Sequence, residues 1–236
     1  MEKENDLTVI MLTANEHPKH WEEFHWEKLM EATKGYPMII SRVKEMAIGE
    51  HDGWTDLNEI IQTEPYSHRT MYRQLLKACK LAATPYIAVA ESDVLYSPEH
   101  FTFYRPPMDA VAYDMSRWVL FTWRPVFSIR RRINNSMMIA PREYLIDALE
   151  ERYGDNSTCR DDRVGEVGRH IHEKALGLKL RKAEQVWCYH PSVQLSHENN
   201  ISFNQAHFPY KKTLGEMKAL EIPVWGKSND LVKEYR

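Results

Sequence analysis

The stretch Thr84-Pro-Tyr-Ile-Ala-Val-Ala-Glu-Ser-Asp-Val-Leu-Tyr96 decides how the rest of the chain is read. Its apolar run starts at Tyr86, breaks at Glu91-Ser92-Asp93 and resumes at Val94, the pattern of a buried strand with two carboxylates at its carboxyl end. Side chains i and i+2 of an extended chain point the same way, so Glu91 and Asp93 are expected to converge while Ser92 faces elsewhere. Open α/β sheets hold their ligands at the carboxyl ends of the strands. Two carboxylates there are what a hard divalent cation bridging a diphosphate requires. The competing reading is an ordinary strand exit with two solvated acids.

Composition narrows the class. The 236 residues are 43% hydrophobic and 28% charged, which fits a soluble globular chain with enough material for one large α/β domain. No run approaches the roughly 20 apolar residues of a membrane span. The start, Met1-Glu-Lys-Glu-Asn-Asp6, is charged and leads straight into Leu7-Thr-Val-Ile-Met-Leu12 without the features of a signal peptide, so a cytoplasmic location is expected. Cys79, Cys159 and Cys188 are odd in number and widely spaced, which argues against both a disulfide framework and a zinc cluster. A net charge of −3 exerts no global pull on nucleic acid, although Arg117, Arg124 and Arg130-Arg-Arg132 form a local basic stretch.

Strand-like and helix-like segments alternate along the chain, the signature of an α/β fold. Leu7 to Leu12 and Tyr36 to Val43 read as strands, Trp21 to Thr33 as a helix stopped by Gly35, and Gly49 to Asn58 as a loop. Ser67 to Ala83 reads as a helix capped by Ser67, with Met71, Leu75, Ala78, Leu81 and Ala82 on its buried face. Met108 to Tyr113 and Trp118 to Trp123 are expected strands, and Arg142 to Arg152 a helix opened after Pro141. Val164 to Leu176 is expected to be a helix ended by Gly177, followed by short strands at Val186 to Tyr189 and Val193 to Leu195. The tail from Tyr210 shows little pattern.

This order of parts resembles the GT-A fold of nucleotide-sugar-dependent glycosyltransferases, over about residues 7 to 204. The motifs that carry it are Arg73-Gln-Leu-Leu-Lys-Ala-Cys-Lys-Leu-Ala-Ala-Thr-Pro-Tyr-Ile87, the acidic turn at the Asp-x-Asp position, Asn134-Asn-Ser-Met-Met-Ile-Ala-Pro-Arg-Glu-Tyr144, Arg160-Asp161-Asp162 and Val193-Gln-Leu-Ser-His197. The resemblance implies a Rossmann-like mixed sheet flanked by helices, in a single domain whose nucleotide-binding half spans about 7–104, its acceptor half about 105–204 and its tail 205–236. A compact phage and bacterial group is resembled in Glu91 to Phe101 and Ser196 to Ser202.

The resemblance also assigns roles. Glu91, which departs from the commoner Asp, and Asp93 would hold Mn²⁺ or Mg²⁺, with His197 as a late ligand whose nitrogen favours Mn²⁺. The alternative for His197 is a surface loop residue. Thr13, Ala14 and Asn15 would lie under the nucleotide base, Arg42 at the ribose or a phosphate, Arg73 at the diphosphate, and Ser92 with the donor-binding set. The donor would be a nucleotide sugar, a UDP-sugar first, although no residue separates uridine from guanosine or thymidine. Asp162, then Asp161, then Glu166 on the same helical face, would supply the general base. The bland alternative is a helix start whose acids complement the dipole. Tyr96, Tyr113, Trp118 and Trp123 would mark an acceptor region if they stack on a sugar or base rather than filling the core.

The acceptor stays open among a glycan, a small molecule and a hydroxymethylated base in phage DNA, the last with phosphate contacts from Arg117, Arg124 and Arg130 to Arg132. Two other function classes compete. A nucleotidyltransferase would need a glycine-rich basic loop after its first strand, and Thr13-Ala-Asn-Glu-His-Pro18 has neither Gly nor Lys. A noncatalytic nucleotide- or glycan-binding module would keep metal and nucleotide binding without turnover.

Overall fold

The acidic stretch ends a central strand, as its apolar run requires. In a computed structural model, which describes residues 6–13, 17–42, 57–61, 63, 67–121, 124–157, 166–196 and 217–235, β1 (Leu7–Thr13), β2 (Met38–Arg42), β3 (Leu57–Ile61) and β4 (Tyr86–Glu91) run parallel. Beyond β4, the antiparallel β9 (Met138–Pro141) separates it from β6 (Ala110–Asp114), which pairs in parallel with β10 (Lys182–Val186). The full order is β10-β6-β9-β4-β1-β2-β3, the expected mixed sheet flanked by helices. Every residue of β1 and β2 is buried, which is why these strands read as continuous apolar runs and not as alternating ones.

Residue parity sorts the core. Ile10, Leu12, Ile87 and Val89 face α2 (His68–Leu81) and α3 (Arg142–Tyr153), whereas Val9, Met11, Ala88 and Ala90 face α1 (Lys19–Ala32). Ser67 caps α2 by accepting the Thr70 N–H at 3.0 Å. The buried face of that helix runs through Tyr72, Leu75, Leu76, Ala78 and Cys79. Leu81, expected inside, is 61% exposed because the helix ends there and the chain turns toward Pro85. After α1 the chain reverses at Gly35, which takes φ +90°.

A second sheet, ordered β12-β8-β7-β11-β5, stands against the carboxyl edge of the first. It contains β5 (Val94–Leu95), β7 (Trp118–Phe121), β8 (Arg124–Ile129), β11 (Val193–Ser196) and β12 (Lys218–Ala219). The chain passes from the first sheet to the second at Ser92-Asp93, at Met115–Arg117 and at residues 187–192, and it returns through residues 96–109 and 130–137. Backbone bonds stitch these crossings: Leu195 N–H to the Asp93 carbonyl at 2.8 Å, Met115 to Val186 at 2.7 Å, Trp118 to Ser192 at 2.9 Å and Arg130 to Arg117 at 3.2 Å.

Four expectations about elements are corrected. Leu57 and Asn58 belong to β3, not to a loop. The strand expected at Val186 to Tyr189 is β10, which sits earlier, at Lys182–Val186. The helix expected from Val164 is α4 (His170–Ala175); it starts late because Gly168 takes φ +80° and breaks the helical path. The described part of the tail, residues 217–235, has regular structure: β13 (Glu221–Ile222) and β14 (Gly226–Lys227) form a hairpin, α5 (Ser228–Leu231) follows, and a 3-10 turn, Val232–Tyr235, ends with Tyr235 buried. No helix among the described residues is long and apolar enough to cross a membrane.

Candidate active site

The acidic turn occupies the joint between the two sheets. β4 stops at Glu91, and residues 92–93 form a turn, so the turn, not strand alternation, brings Asp93 back toward Glu91. Parity puts Glu91 on the α2 side with Ile87 and Val89. Its N–H donates to the Tyr96 hydroxyl at 2.9 Å, which in turn donates to the Ser136 carbonyl at 2.9 Å, fixing the strand end against the turn that precedes β9. Tyr96 and Tyr113 are fully buried, so neither offers a stacking surface, and Trp118 packs into the second sheet's core. Trp123 lies outside the described residues.

The carboxyls are crowded. Burial, then the charges of Asp93 and Glu166, push Glu91 well above the usual carboxylate range against the pull of Arg117. Burial also raises Asp93, although a hydrogen bond from Gln194 and the charges of His17 and Arg117 oppose it. Gln194 Nε2 donates to Asp93 Oδ2 at 3.0 Å, and Gln194 Oε1 accepts from Arg117 Nη1. Arg117 is 1% exposed. A guanidinium so enclosed cannot reach the backbone of a DNA duplex, so the phosphate contact expected of it is corrected.

Glu166 lies within electrostatic reach of Glu91, Tyr72 and Tyr113. It stands in a turn before α4 and not within a helix, so the helical face expected to carry it is corrected; Asp162 lies outside the described residues. Arg169 Nη1 pairs with its Oε2 at 3.2 Å. The Tyr113 hydroxyl donates to the Val167 carbonyl at 2.8 Å, and a Cβ on Gly168 would stand 2.4 Å from the Ala183 Cβ, so only glycine lets this segment lie so close to β10.

No protein-family model matches the chain, and no curated protein matches it. Among solved structures, the glycosyltransferase GlyE of Streptococcus pneumoniae TIGR4 aligns at 11% identity and a TM-score of 0.45, covering 78% of this chain and 45% of that one. The chain therefore spans less than half of the GlyE chain. Rv0371c from Mycobacterium tuberculosis H37Rv aligns at 11% identity and a TM-score of 0.44, with 81% and 90% covered. A glycosyltransferase involved in the glycosylation of the major capsid of PBCV-1 aligns at 11% identity and 0.40, with 78% and 83% covered.

Of the donor-side residues, Thr13 and Arg42 are register partners at the carboxyl ends of β1 and β2, and Leu12 is the partner of Glu91. Thr13, Arg42 and the acidic turn thus share one edge of the sheet. Ser92 lies in the turn itself. Arg73 projects from α2 and pairs with Asp155 Oδ1 at 3.2 Å. Ala14, Asn15, Asp161, Asp162 and His197 lie outside the described residues. His190, in the connection between β10 and β11, pairs with Glu99 at 2.8 Å.

Arg117, Gln194 and His17 were not singled out by the sequence reasoning as neighbours of the acidic pair. For Gln194 a signal existed. Val193 and Leu195 are buried and Gln194 alternates between them, so its side chain leaves the core on the other face of β11.

Proposed function

We propose that the chain is a metal-dependent glycosyltransferase that moves a sugar from a nucleotide-sugar donor to an acceptor hydroxyl. The observation that carries this reading is the crowded Glu91–Asp93 pair at the joint of the two sheets, on the edge shared with Thr13 and Arg42 and with a third carboxyl, Glu166, within electrostatic reach. A carboxyl that burial and its neighbour's charge drive to hold a proton, as Glu91 is beside Asp93, is stabilised by any cation that replaces the proton, so the pair fits a divalent metal. Among the described residues no group of three or more His, Cys, Asp or Glu could hold a metal; His197, the third ligand of this reading, lies outside them. Glu91 and Asp93 would hold the ion; when bound, it supplies charge that stabilises a diphosphate leaving group.

The remaining work falls to the chain's own side chains. Thr13 and Arg42 orient the nucleotide end of the donor, and a carboxylate takes the acceptor's proton during attack. Asp162 leads for that role, followed by Asp161 and by Glu166, whose position beside Glu91 supports it. Release of nucleoside diphosphate from UDP-, GDP- and TDP-sugars in Mn²⁺ tests the reading. Wild type should turn over one donor class, chelator should stop it, and Asp93→Asn should abolish it, because an amide cannot balance the diphosphate's charge. Within the same assay, loss of about 10² or more in Asp162→Asn or Glu166→Gln with donor affinity kept identifies the base. Full activity in chelator overturns the metal role.

A further inference from the structure

Between the buried Arg117 and the acidic turn lies one amide, and the chemistry at its two ends fixes its orientation. A guanidinium only donates hydrogen bonds, and an ionised carboxylate only accepts them. Gln194 therefore must turn its oxygen to Arg117 Nη1 and its nitrogen to Asp93 Oδ2, the arrangement seen, with 3.0 Å to the carboxylate. Among the described residues Nε and Nη2 of Arg117 meet no acceptor, so Gln194 is the acceptor that holds this side chain. The three residues come from three separate segments at the joint of the sheets: Asp93 from the β4–β5 turn, Arg117 from the β6–β7 connection and Gln194 from strand β11. A direct Arg–Asp pair would neutralise the carboxylate and compete with a cation. The interposed amide aligns the carboxylate and leaves its charge.

We propose that Gln194 and Arg117 are positioning residues for the metal-binding pair, Arg117 fixing the Gln194 amide and the amide fixing the rotation of the Asp93 carboxylate. The inference rests on the reading of Glu91 and Asp93 as metal ligands. Groups that orient a metal ligand commonly matter by about 10–100-fold in metal affinity, and this is the size expected for Gln194→Met, which keeps the side chain's length and removes both hydrogen bonds.

The test measures Mn²⁺ affinity by titration calorimetry and thermal unfolding in parallel, on wild type, Asp93→Asn, Gln194→Met, Arg117→Met and the double variant. Gln194→Met should bind Mn²⁺ at least about tenfold more weakly and unfold earlier, since it leaves a buried charge without its acceptor. In the double variant stability should recover relative to Gln194→Met, because both polar partners are gone, while Mn²⁺ affinity stays as low as in the single variant. Arg117→Met should lose affinity too, and the two losses should not add, because one residue acts through the other. Wild-type affinity in Gln194→Met, additive losses, or affinity that recovers together with stability each overturn the relay. Wild type that binds no Mn²⁺, or binds it equally in Asp93→Asn, overturns the ligand reading and the relay with it, a pattern distinct from failure of the relay alone.

Discussion

His100 and Asp114 form the other buried polar pair near the joint, and they show how much the environment of a carboxyl decides. His100 Nδ1 lies 3.0 Å from Asp114 Oδ2, and both side chains are within 1% of complete burial. Asp114 Oδ1 also accepts from the Ser116 N–H at 2.8 Å and its hydroxyl at 2.5 Å. Burial alone would raise Asp114, but the hydrogen bond and charge of His100 with the Ser116 donors outweigh it and hold the group below its ordinary range. Its folded pKa is thus below the unfolded value of about 3.9. The stability this contributes is complete above that value and is lost as pH falls through the folded pKa. Thermal unfolding measured from pH 7 to pH 2 should show an acid limb in wild type that is flatter in Asp114→Asn, with the variant less stable at neutral pH. Identical limbs would mean the pair contributes nothing to acid stability. The sequence made Glu91 and Asp93 legible because an apolar run broken by acids is unusual. It hid Arg117 and Asp114 as parts of the joint, because a buried Arg or Asp between strands reads like any surface residue until its neighbours are known.

At the level of elements, long periodic segments were readable, and so were the short apolar strands at β6, β7 and β11, while short segments with polar residues were not. α2 and α3 were visible through apolar spacing and their openings at Ser67 and Pro141, and β1 and β4 through unbroken apolar runs. β3 was missed because Leu57-Asn-Glu-Ile-Ile61 carries two polar residues on an edge strand, where only one neighbour is paired. Glu166 to Arg169, expected within a helix, are not helical, and the cause lies in Gly168, whose left-handed backbone and close approach to Ala183 set the turn that holds Glu166. Gly168→Ala should therefore destabilise the fold by about 1–3 kcal/mol, the usual cost of a strained backbone position. Because the displaced segment carries Glu166, acceptor-dependent transfer should fall while Mn²⁺ affinity stays near wild type. Thermal unfolding and the transfer assay check this together, and unchanged stability would mean the turn yields without cost.

Across the whole molecule, what sequence patterns could not convey was that two sheets meet at a single edge and that the tail closes over the meeting. The tail reaches back to the start of the fold: Trp225 Nε1 donates to the Pro191 carbonyl at 2.7 Å, the Ser228 hydroxyl to Pro125 at 2.6 Å, and the Tyr235 hydroxyl meets His25 Nε2 at 2.8 Å. The Tyr235 ring packs edge-on against Trp21 at 5.2 Å and Phe24 at 5.9 Å on α1, the helix that follows Thr13 and His17, and Asp93 lies within its electrostatic reach. Tyr235 thus braces α1 beside the acidic turn. Tyr235→Ala should cost about 3–5 kcal/mol, as for other buried aromatic truncations, and should also weaken Mn²⁺ binding because the α1 end of the site loses its support. Tyr235→Phe removes only the hydrogen bond to His25 and should cost about 0.5–1.5 kcal/mol with metal affinity unchanged. Unfolding midpoints and Mn²⁺ titrations of the two variants separate the possibilities. If Tyr235→Ala lowers stability and leaves metal affinity intact, the tail supports the fold alone and has no hold on the site.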